Sequence, residues 1–258
     1  MLLVADVGNT NITLGVYNKD ELLGTYRLTT WFKRTSDEYG FMILNFLNAI
    51  QIKPEEIEDV IISSVVPKIM HSFTNSFRKY IKKEPMIVGP GIKTGIAIKY
   101  DNPKEVGADR IVDAVAAHHS YEGDLLVIDF GTATTYEYIM ANGTYCGGCI
   151  CPGIEISAQA LASNAAKLPE IEIKPTHTVL PSNTINAMQS GVFYGYLGSV
   201  EYLIDKYKNE TGKDLKVIAT GGLGRIISEH TDKIDIYDPD LTFKGLKIIY
   251  ERNKKAEN

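Results

Sequence analysis

The 258-residue sequence has few cysteines, no excess of basic side chains and no long apolar run. Three cysteines cannot form a complete set of disulfides, which favours a reducing compartment and predicts a cytoplasmic protein. A net charge of −5 argues against nucleic acid as the main partner, because binding to a phosphate backbone needs a basic face. No run reaches the roughly 18 apolar residues of a membrane helix. Only five residues precede Asp6, so we expect neither a signal peptide nor a membrane partner.

Several common motifs are also missing. The sequence contains neither the G-x-x-x-x-G-K-[ST] pattern of a P-loop nor the G-x-G-x-x-G pattern of a dinucleotide-binding fold. It lacks the G-x-S-x-G turn that presents a hydrolase nucleophile. The cysteines at positions 146, 149 and 151 have a metal-like or redox-like spacing, but no second pair completes a tetrahedral zinc site. We therefore interpret them as structural.

Two stretches of the chain have nearly the same sequence. Residues 2–11 read L-L-V-A-D-V-G-N-T-N, and residues 125–134 read L-L-V-I-D-F-G-T-A-T. A short apolar run that ends at a glycine predicts a buried strand, with the Asp at its exposed end. The glycine lets the backbone approach a ligand closely, and successive N–H groups of such a turn can bind an anion. Strand-like runs follow at 12–17 and 135–140, so each stretch predicts a phosphate-binding hairpin.

The duplication decides between two interpretations of this motif. A single D-x-G between strands is more often only a tight turn, but two copies favour phosphate binding. Asp129 follows Asp6 by 123 residues, close to half the chain, which predicts two similar domains that face each other across a cleft.

The pattern of predicted strands and helices repeats as well. Strands are predicted at 2–7, 11–17, 21–29, 60–65 and 85–88, then 125–129, 135–140, 145–150, 215–219 and 234–237; helices are predicted at 37–50, from Pro67, at 104–119, 154–166 and 184–208, after Gly222 and from Thr242.

A double glycine forms a third candidate site. Gly221 and Gly222 stand between a predicted strand end and a predicted helix start, where a flat ring or sugar can lie against the backbone. Taken alone, such a pair is usually a strand-to-helix turn. Beside two phosphate turns, we interpret it as an adenosine-binding turn.

A fourth cluster runs from Tyr100 to Arg110. If residues 104–119 are helical, Asp109 and Arg110 lie near the positive end of the helix. Two interpretations remain open from spacing alone: a surface ion pair of little energetic value, or a catalytic Asp beside an Arg that recognises an anionic substrate.

Taken together, these motifs resemble those of type III pantothenate kinases over nearly the whole chain. The similar segments are Asp6-Val7-Gly8-Asn9-Thr10, Gly107-Ala108-Asp109-Arg110, Asp129-Phe130-Gly131-Thr132-Ala133-Thr134, Ala219-Thr220-Gly221-Gly222, Gly147-Gly148 with Pro152-Gly153, Leu168-Pro169, Asn183-Thr184 with Gly191, and Leu241-Thr242-Phe243-Lys244-Gly245-Leu246. One departure is Asp113, which stands where the family pattern has Asn and could alter the charge around Asp109.

The resemblance implies an α/β fold with two actin-like, hexokinase-like (ribonuclease H-like) ATPase domains, whose mixed sheets are flanked by helices. We place the domains at residues 1–118 and 119–258. It also implies an ATP-dependent kinase that converts pantothenate to 4'-phosphopantothenate, the first step of coenzyme A synthesis. The implied cofactors are Mg²⁺ with ATP and a monovalent cation, K⁺ or NH₄⁺, and the implied assembly is a homodimer.

The resemblance further implies a role for each matched residue. Asp109 would be the catalytic proton acceptor, and Asp129 would bind the monovalent cation. The residues implied for ATP are Asp6, Val7, Gly8, Asn9, Thr10, Asn11, Ile12, Thr13, Thr132, Gly221 and Gly222. Those implied for pantothenate are Tyr100, Gly107, Ala108, Asp109, Arg110 and Thr184.

Two rival functions use the same motifs. The first is a nucleotide-binding regulatory protein derived from such a kinase, or an actin-like ATPase switch; switches of this kind usually need extra subdomains, for which 258 residues leave little room. The second is a sugar kinase of the same fold, which would need a longer sugar-binding insertion.

Overall fold

The structure is a computed structural model that describes residues 1–255. Contacts group the chain into two compact units. Unit 1 comprises Met1–Ile96, Asp101–Ala116 and the chain from Leu241 on, and unit 2 comprises Ala97–Tyr100 and Ala117–Asp240. The predicted domain limits, 1–118 and 119–258, stay a prediction; they differ from the units mainly in the assignment of the last helix, and residues 256–258 lie outside the described residues.

The order of elements follows the predicted pattern. The strands are β1 (Leu2–Val7), β2 (Asn11–Asn18), β3 (Glu21–Thr29), β4 (Asp59–Ser64), β5 (Met86–Ile87), β6 (Ala97–Ile98), β7 (Leu125–Phe130), β8 (Ala133–Ile139), β9 (Thr144–Pro152), β10 (Lys216–Thr220) and β11 (Ile236–Tyr237). The helices are α1 (Ser36–Ala49), α2 (Pro67–Ser76), α3 (Ala108–Ser120), α4 (Ile154–Asn164), α5 (Thr184–Thr211), α6 (Gly224–Ser228) and α7 (Leu241–Lys254).

The sheet of unit 1 has the strand order β3-β2-β1-β4-β5. Strands β1, β2 and β3 are antiparallel, whereas β4 runs parallel to β1 and β5 parallel to β4. Because side chains alternate between the faces of a strand, the odd-numbered β1 residues join the core that contains α1 and α2. Leu2 and Val4 join the opposite core, where α7 contributes Phe243 and Leu246. The last helix therefore completes the core of unit 1.

The sheet of unit 2 has the order β11-β10-β7-β8-β9-β6. Strands β7, β8 and β9 are antiparallel, and β10 runs parallel to β7. Helix α5 buries Phe193, Leu197, Val200 and Ile204 in the core of this unit. Their spacing of three or four residues places them on one helical face. Each unit therefore contains a three-stranded antiparallel meander with a parallel strand beside the first strand of that meander, which confirms the predicted repeat and the predicted mixed sheets.

Two local predictions need correction. The helix predicted from residue 104 begins at Ala108, because Pro103–Glu105 form a separate 3₁₀ turn that the Asn102 side chain caps at the N–H of Lys104. Strand β6 was not predicted, since a pair of residues in a turn-rich stretch carries no periodic signal. It pairs with the beginning of β9. Among residues 1–255, no helix has the length and apolar character that crossing a membrane requires.

Candidate functional site

The first predicted phosphate turn is a tight connection between β1 and β2. Asp6 lies opposite Thr13 in the ladder, one residue before β1 ends. The Gly8 N–H donates to the Asn11 carbonyl over 2.9 Å, which closes the turn. Asn9 and Thr10 at its tip are exposed. The predicted hairpin is confirmed, and its polar tip lies at the carboxyl end of β1.

Thr30, which sequence analysis did not select, holds this turn from the side. Its backbone N–H donates to the Thr10 carbonyl over 2.8 Å, and its hydroxyl donates to the Gly8 carbonyl over 2.7 Å. Thr30 follows the last residue of β3 and is only 8% exposed. The only sequence signal for this role was its position, directly after the strand that completes the meander.

The predicted acceptor cluster begins α3 in unit 1. Asp109 lies in the first turn of α3, where the helix dipole favours a carboxylate. Its Oδ1 accepts the N–H of Arg110 over 2.8 Å. A Cβ added to Gly107 would lie 3.6 Å from Val65, which follows the end of β4. Because β4 runs parallel to β1, Gly107, which precedes Asp109 by two residues, lies at the same end of the unit 1 sheet as Asp6.

The burial of Arg110 bears on the two interpretations that the sequence left open, and the catalytic role of Asp109 stays a prediction. Arg110 is 7% exposed, which does not fit a solvated surface ion pair. Asp113, one turn further along α3, is 3% exposed, and its Oδ1 accepts a hydrogen bond from the Thr242 hydroxyl over 2.7 Å. Asp113, the residue that departs from the family pattern, therefore has a hydrogen-bond partner on α7.

The second predicted phosphate turn brings three candidate residues together in unit 2. Asp129 lies near the end of β7, opposite Thr135 of β8 and beside Thr220 of β10. A Cβ on Gly221 would overlap the Asp129 carboxylate, and Gly221 has a φ of 88°, so both sterics and backbone conformation require glycine. The adjacent Thr132 is exposed at the tip of the turn. The double glycine therefore adjoins the second acidic turn within this unit, and the binding roles of both stay predictions.

Gly153 supports this second turn by close backbone packing. Its N–H donates to the Thr132 carbonyl over 3.2 Å. A Cβ at Gly153 would lie 2.6 Å from the Gly131 carbonyl oxygen and would also overlap the Thr132 carbonyl. Position 153 directly follows β9, the third strand of its meander.

The remaining predicted pantothenate residues lie in unit 2. Tyr100 packs on Gly147, because a Cβ added to that glycine would lie 3.4 Å from the tyrosine ring. The ring of Tyr100 also lies 6.4 Å from that of Tyr145, whose hydroxyl binds the buried carboxylate of Glu137. Thr184 is the exposed first residue of α5, after the capping residue Asn183. The substrate residues implied by the resemblance are thus divided between the two units.

The donor chemistry of the two acidic turns suits hard cations. No group of three or more His, Cys, Asp or Glu side chains in the described chain could enclose a metal by itself. Asp6 and Asp129 each lie one residue before the end of a strand, and carboxylate oxygens are ligands of the kind that Mg²⁺ accepts. Mg²⁺ usually retains several waters, and a nucleotide supplies phosphate oxygens, so sparse protein ligation fits.

The three cysteines are free thiols. Burial raises the pKa of Cys146 and of Cys151, which keeps both thiols protonated at neutral pH. Their side chains do not form a disulfide, and this agrees with the structural interpretation.

Sequence comparison identifies the family. The model for type III pantothenate kinase matches residues 2–206. A type III pantothenate kinase of Agathobacter rectalis is 54% identical over 256 residues, which cover 99% of this chain and 98% of that protein. This chain belongs to the type III pantothenate kinase family. The resemblance expected from the sequence is confirmed, and the chain is a kinase of this family.

Solved structures agree with the fold of this family. A conserved Campylobacter jejuni protein named for the Baf family of transcriptional activators has a TM-score of 0.61 at 21% identity, covering 98% of this chain and 99% of that one. A Sinorhizobium meliloti protein named as a 2-dehydro-3-deoxygalactonokinase has a TM-score of 0.58 at 10% identity, covering 98% and 96%. At these identities the likeness concerns the fold alone. It confirms the predicted actin-like, hexokinase-like α/β class of this family.

Proposed function

We propose that this chain transfers the γ-phosphoryl group of ATP to the primary hydroxyl of pantothenate and yields 4'-phosphopantothenate and ADP, the first step of coenzyme A synthesis. The observation that carries the proposal is the 54% identity to a type III pantothenate kinase over 99% of the chain. The two acidic turns and the double glycine are consistent with it, because phosphoryl transfer depends mainly on alignment and on neutralising charge.

The ATP-binding role falls to residues Asp6 to Thr13 in unit 1 and to Thr132, Gly221 and Gly222 in unit 2. The exposed tip at Asn9 and Thr10 offers backbone N–H groups, amides and a hydroxyl to phosphate oxygens. Gly221 and Gly222 offer bare backbone to the adenosine. In each unit, the residue that follows the third strand of the meander donates a hydrogen bond to the polar turn. This residue is Thr30 in unit 1 and Gly153 in unit 2, and both contacts support a fixed and preorganised phosphate turn.

Asp109 would accept the proton of the attacking hydroxyl. As that proton moves to the carboxylate, the hydroxyl oxygen forms a bond to the γ-phosphorus, and the bond between this phosphorus and the leaving oxygen of ADP breaks. The Oδ1 contact with the Arg110 N–H fixes the orientation of the carboxylate. Arg110 would recognise the pantothenate carboxylate, and Tyr100, Gly107, Ala108 and Thr184 would complete the acceptor site.

The cations would neutralise charge on the phosphates. Mg²⁺ bound to ATP, together with K⁺ or NH₄⁺ at Asp129, would offset the negative charge that the transferred phosphoryl group carries. The chain itself supplies no lysine within either turn, at 6–13 or 129–135. This absence of a local positive side chain is the reason to assign the role to bound cations.

A homodimer fits the face of α5 that carries Gly191, Gly195 and Gly198. A Cβ on any of these glycines would meet nothing within 4 Å outside the helix, so no other part of the described chain packs closely against them. Ile185 and Tyr202 on the same helix are also exposed, at 51% and 67%. We therefore assign this face to a second copy of the chain. The three free thiols suit a reducing, cytoplasmic location.

The direct test is product analysis with the purified full-length chain. ATP and MgCl₂ are supplied with pantothenate, without pantothenate, or with a hexose, in buffers containing KCl, NH₄Cl or NaCl. We expect ADP and phosphopantothenate in equal amounts, only when pantothenate is present, and faster with K⁺ or NH₄⁺ than with Na⁺. ATP hydrolysis that ignores the acceptor would instead favour a nucleotide switch, and phosphorylation of the hexose would favour a sugar kinase.

Replacement of the proposed base sharpens this test. Asp109→Asn should lower kcat by roughly 10²- to 10⁴-fold, the usual contribution of a general base, while far-UV circular dichroism remains unchanged. Asp101→Asn is the matched control, because Asp101 is an exposed carboxylate that precedes the same helix. Near-normal turnover in a folded Asp109→Asn variant would contradict the assignment.

Light scattering tests the dimer. Gly195→Arg should give a monomer, because an arginine on the α5 face would prevent close approach of a partner helix. Gly89→Arg serves as control, since Gly89 in unit 1 is equally free of neighbours. A wild-type monomer with full activity would refute the dimer.

A further inference from the structure

We propose that Thr30 is a positioning residue for ATP, which aims the N–H groups of the first phosphate turn by holding two of its carbonyl oxygens. The inference rests on the proposed function, because it assigns a task to the turn that is proposed to bind the phosphates. Thr30 is not part of the residues 6–13 themselves and follows a different strand, β3.

The contact is a pair of hydrogen bonds from one residue to one turn. The Thr30 hydroxyl donates to the Gly8 carbonyl over 2.7 Å, and the Thr30 backbone N–H donates to the Thr10 carbonyl over 2.8 Å. Both distances are within the range of strong hydrogen bonds. The Gly8 carbonyl belongs to the peptide that precedes Asn9, and the Thr10 carbonyl belongs to the peptide that follows Thr10. Thr30 therefore holds the peptide units on both sides of the exposed pair Asn9 and Thr10.

Because the peptide bond is planar, these two contacts also set the direction of the N–H groups that follow the two carbonyls. In a planar trans peptide the C=O and the following N–H point in opposite directions. Since the Gly8 carbonyl points toward Thr30, the Asn9 N–H points away from it. Since the Thr10 carbonyl points toward Thr30, the Asn11 N–H also points away from it. Both donors are then directed to the side of the turn opposite β3, and are not free to rotate.

The hydroxyl contact is partly shielded from water, because its donor Thr30 is buried and its acceptor residue Gly8 is half-buried. Thr30 is 8% exposed, whereas Asn9 and Thr10 of the turn are exposed. A carbonyl that loses its donor in a poorly hydrated position is costly, because solvent cannot supply a substitute. Without the hydroxyl, rotation of the Gly8–Asn9 peptide toward another donor becomes favourable. The turn would then present a different set of groups to a phosphate.

The repeat within the chain offers an independent argument. Gly153 occupies the position directly after β9, the third strand of the second meander, as Thr30 does after β3. It too donates its N–H to a carbonyl of the neighbouring turn, that of Thr132, over 3.2 Å. The same place in both units therefore supports the acidic turn. Of these two residues only Thr30 has a side-chain hydroxyl, and this hydroxyl makes a second contact, with the Gly8 carbonyl.

The test separates the hydroxyl from the shape of the side chain. Thr30→Val keeps the volume and the backbone N–H but removes the hydroxyl, Thr30→Ser keeps the hydroxyl, and Thr25→Val is a matched control on the exposed part of β3. Loss of one shielded hydrogen bond predicts a roughly tenfold weaker affinity for ATP in Thr30→Val. We expect a matching rise in KM for ATP, an unchanged KM for pantothenate, recovery in Thr30→Ser and no effect in Thr25→Val.

Direct binding keeps this test independent of the proposed reaction. ATP with Mg²⁺ is titrated calorimetrically into each variant in the absence of pantothenate, after circular dichroism has verified the fold. Equal ATP affinity of wild type and Thr30→Val, or failure of Thr30→Ser to recover affinity, would overturn the inference. If Thr30→Val does not fold, Thr30→Ala replaces it in the same titration with the same expectations. If the wild-type chain binds ATP but does not phosphorylate pantothenate, the proposed function fails and the titration still decides the role of Thr30.

Discussion

The two acidic turns share a sequence pattern but are supported in different ways. The turn of unit 1 leaves three residues, 8–10, between β1 and β2, and a buried threonine that directly follows the third strand holds it through two hydrogen bonds. The turn of unit 2 leaves two residues, 131–132, between β7 and β8, and glycines at 153 and 221 pack against its backbone and against Asp129. A longer turn has more conformations to restrict, and the added side-chain hydrogen bond supplies that restriction.

This difference indicates which kind of change each turn tolerates. Unit 1 uses hydrogen bonds, so its turn should respond to loss of a donor. Unit 2 combines one backbone hydrogen bond from Gly153 with close contact between glycines and backbone, so its turn should respond to added volume. Removal of the carboxylate that both turns share, at Asp6 or Asp129, should have a larger effect than either of these changes, since it affects the ligand directly.

Removing either carboxylate should give the largest effect. Asp6→Asn and Asp129→Asn keep the side-chain volume but remove a negative oxygen ligand, so we expect kcat/KM to fall by roughly 100-fold or more in each. The two should differ in their response to salt: because Asp129 is assigned to the monovalent cation, Asp129→Asn should lose the preference for K⁺ over Na⁺, while Asp6→Asn keeps it.

Steady-state kinetics in KCl and NaCl at matched ionic strength measure this difference. Asp101→Asn again controls for the loss of one charge in the chain. If Asp129→Asn retained the cation preference and Asp6→Asn lost it, the assignments of the two turns would have to be exchanged.

Added volume at Gly153 should give the next largest effect. In Gly153→Ala the new methyl group would lie 2.6 Å from the Gly131 carbonyl oxygen, which forces the backbone of the turn to move. Overpacking of this kind costs about 1–3 kcal/mol in the free energy of unfolding, and kcat/KM should fall because Thr132 and Asp129 are displaced together.

Urea unfolding followed by circular dichroism gives the change in stability. Gly89→Ala is the matched control, because an added Cβ at this exposed glycine meets no atom within 4 Å. Equal stability of the two variants would show that the second turn adapts to added volume, and the contrast between the turns would then be lost.

Both turns can be predicted from the sequence because their strands are short, apolar and end in the same polar pattern. The start of α3 is harder to predict, since a 3₁₀ turn at Pro103–Glu105 precedes it. The role of Thr30 cannot be predicted, because a threonine after a strand has no distinctive neighbour in the sequence, and its two partners are about 20 residues away. The contact between Asp129 and Gly221 arises only when β7 and β10 pair in the sheet, so it has no local signal either. Local patterns thus predict elements, whereas contacts that depend on strand pairing require the structure.

The smallest effects should appear as a difference in pH response between the units. In unit 1, burial alone would raise the pKa of Asp59, but hydrogen bonds from Tyr250 and Lys254 outweigh it and hold the pKa below its usual value. In unit 2, burial, followed by the hydrogen bond to Asp124, raises the pKa of Tyr138 to about 12. The contribution of Asp59 should be complete above about pH 4, the unfolded value, and be lost as the pH falls through the lowered pKa. That of Tyr138 should be complete below about pH 10, and be lost as the pH rises toward 12.

Urea unfolding of the wild type, Asp59→Asn and Tyr138→Phe at pH 3, 7 and 11 measures both contributions. We expect each substitution to cost about 1 kcal/mol at pH 7, the net value of a typical hydrogen bond. The cost of Asp59→Asn should shrink only at pH 3, and that of Tyr138→Phe only at pH 11, because each removes a group that titrates in one of these ranges. A cost that stayed constant for both variants across the series would mean that neither contact is coupled to ionisation, and the two units would then respond alike to pH at these positions.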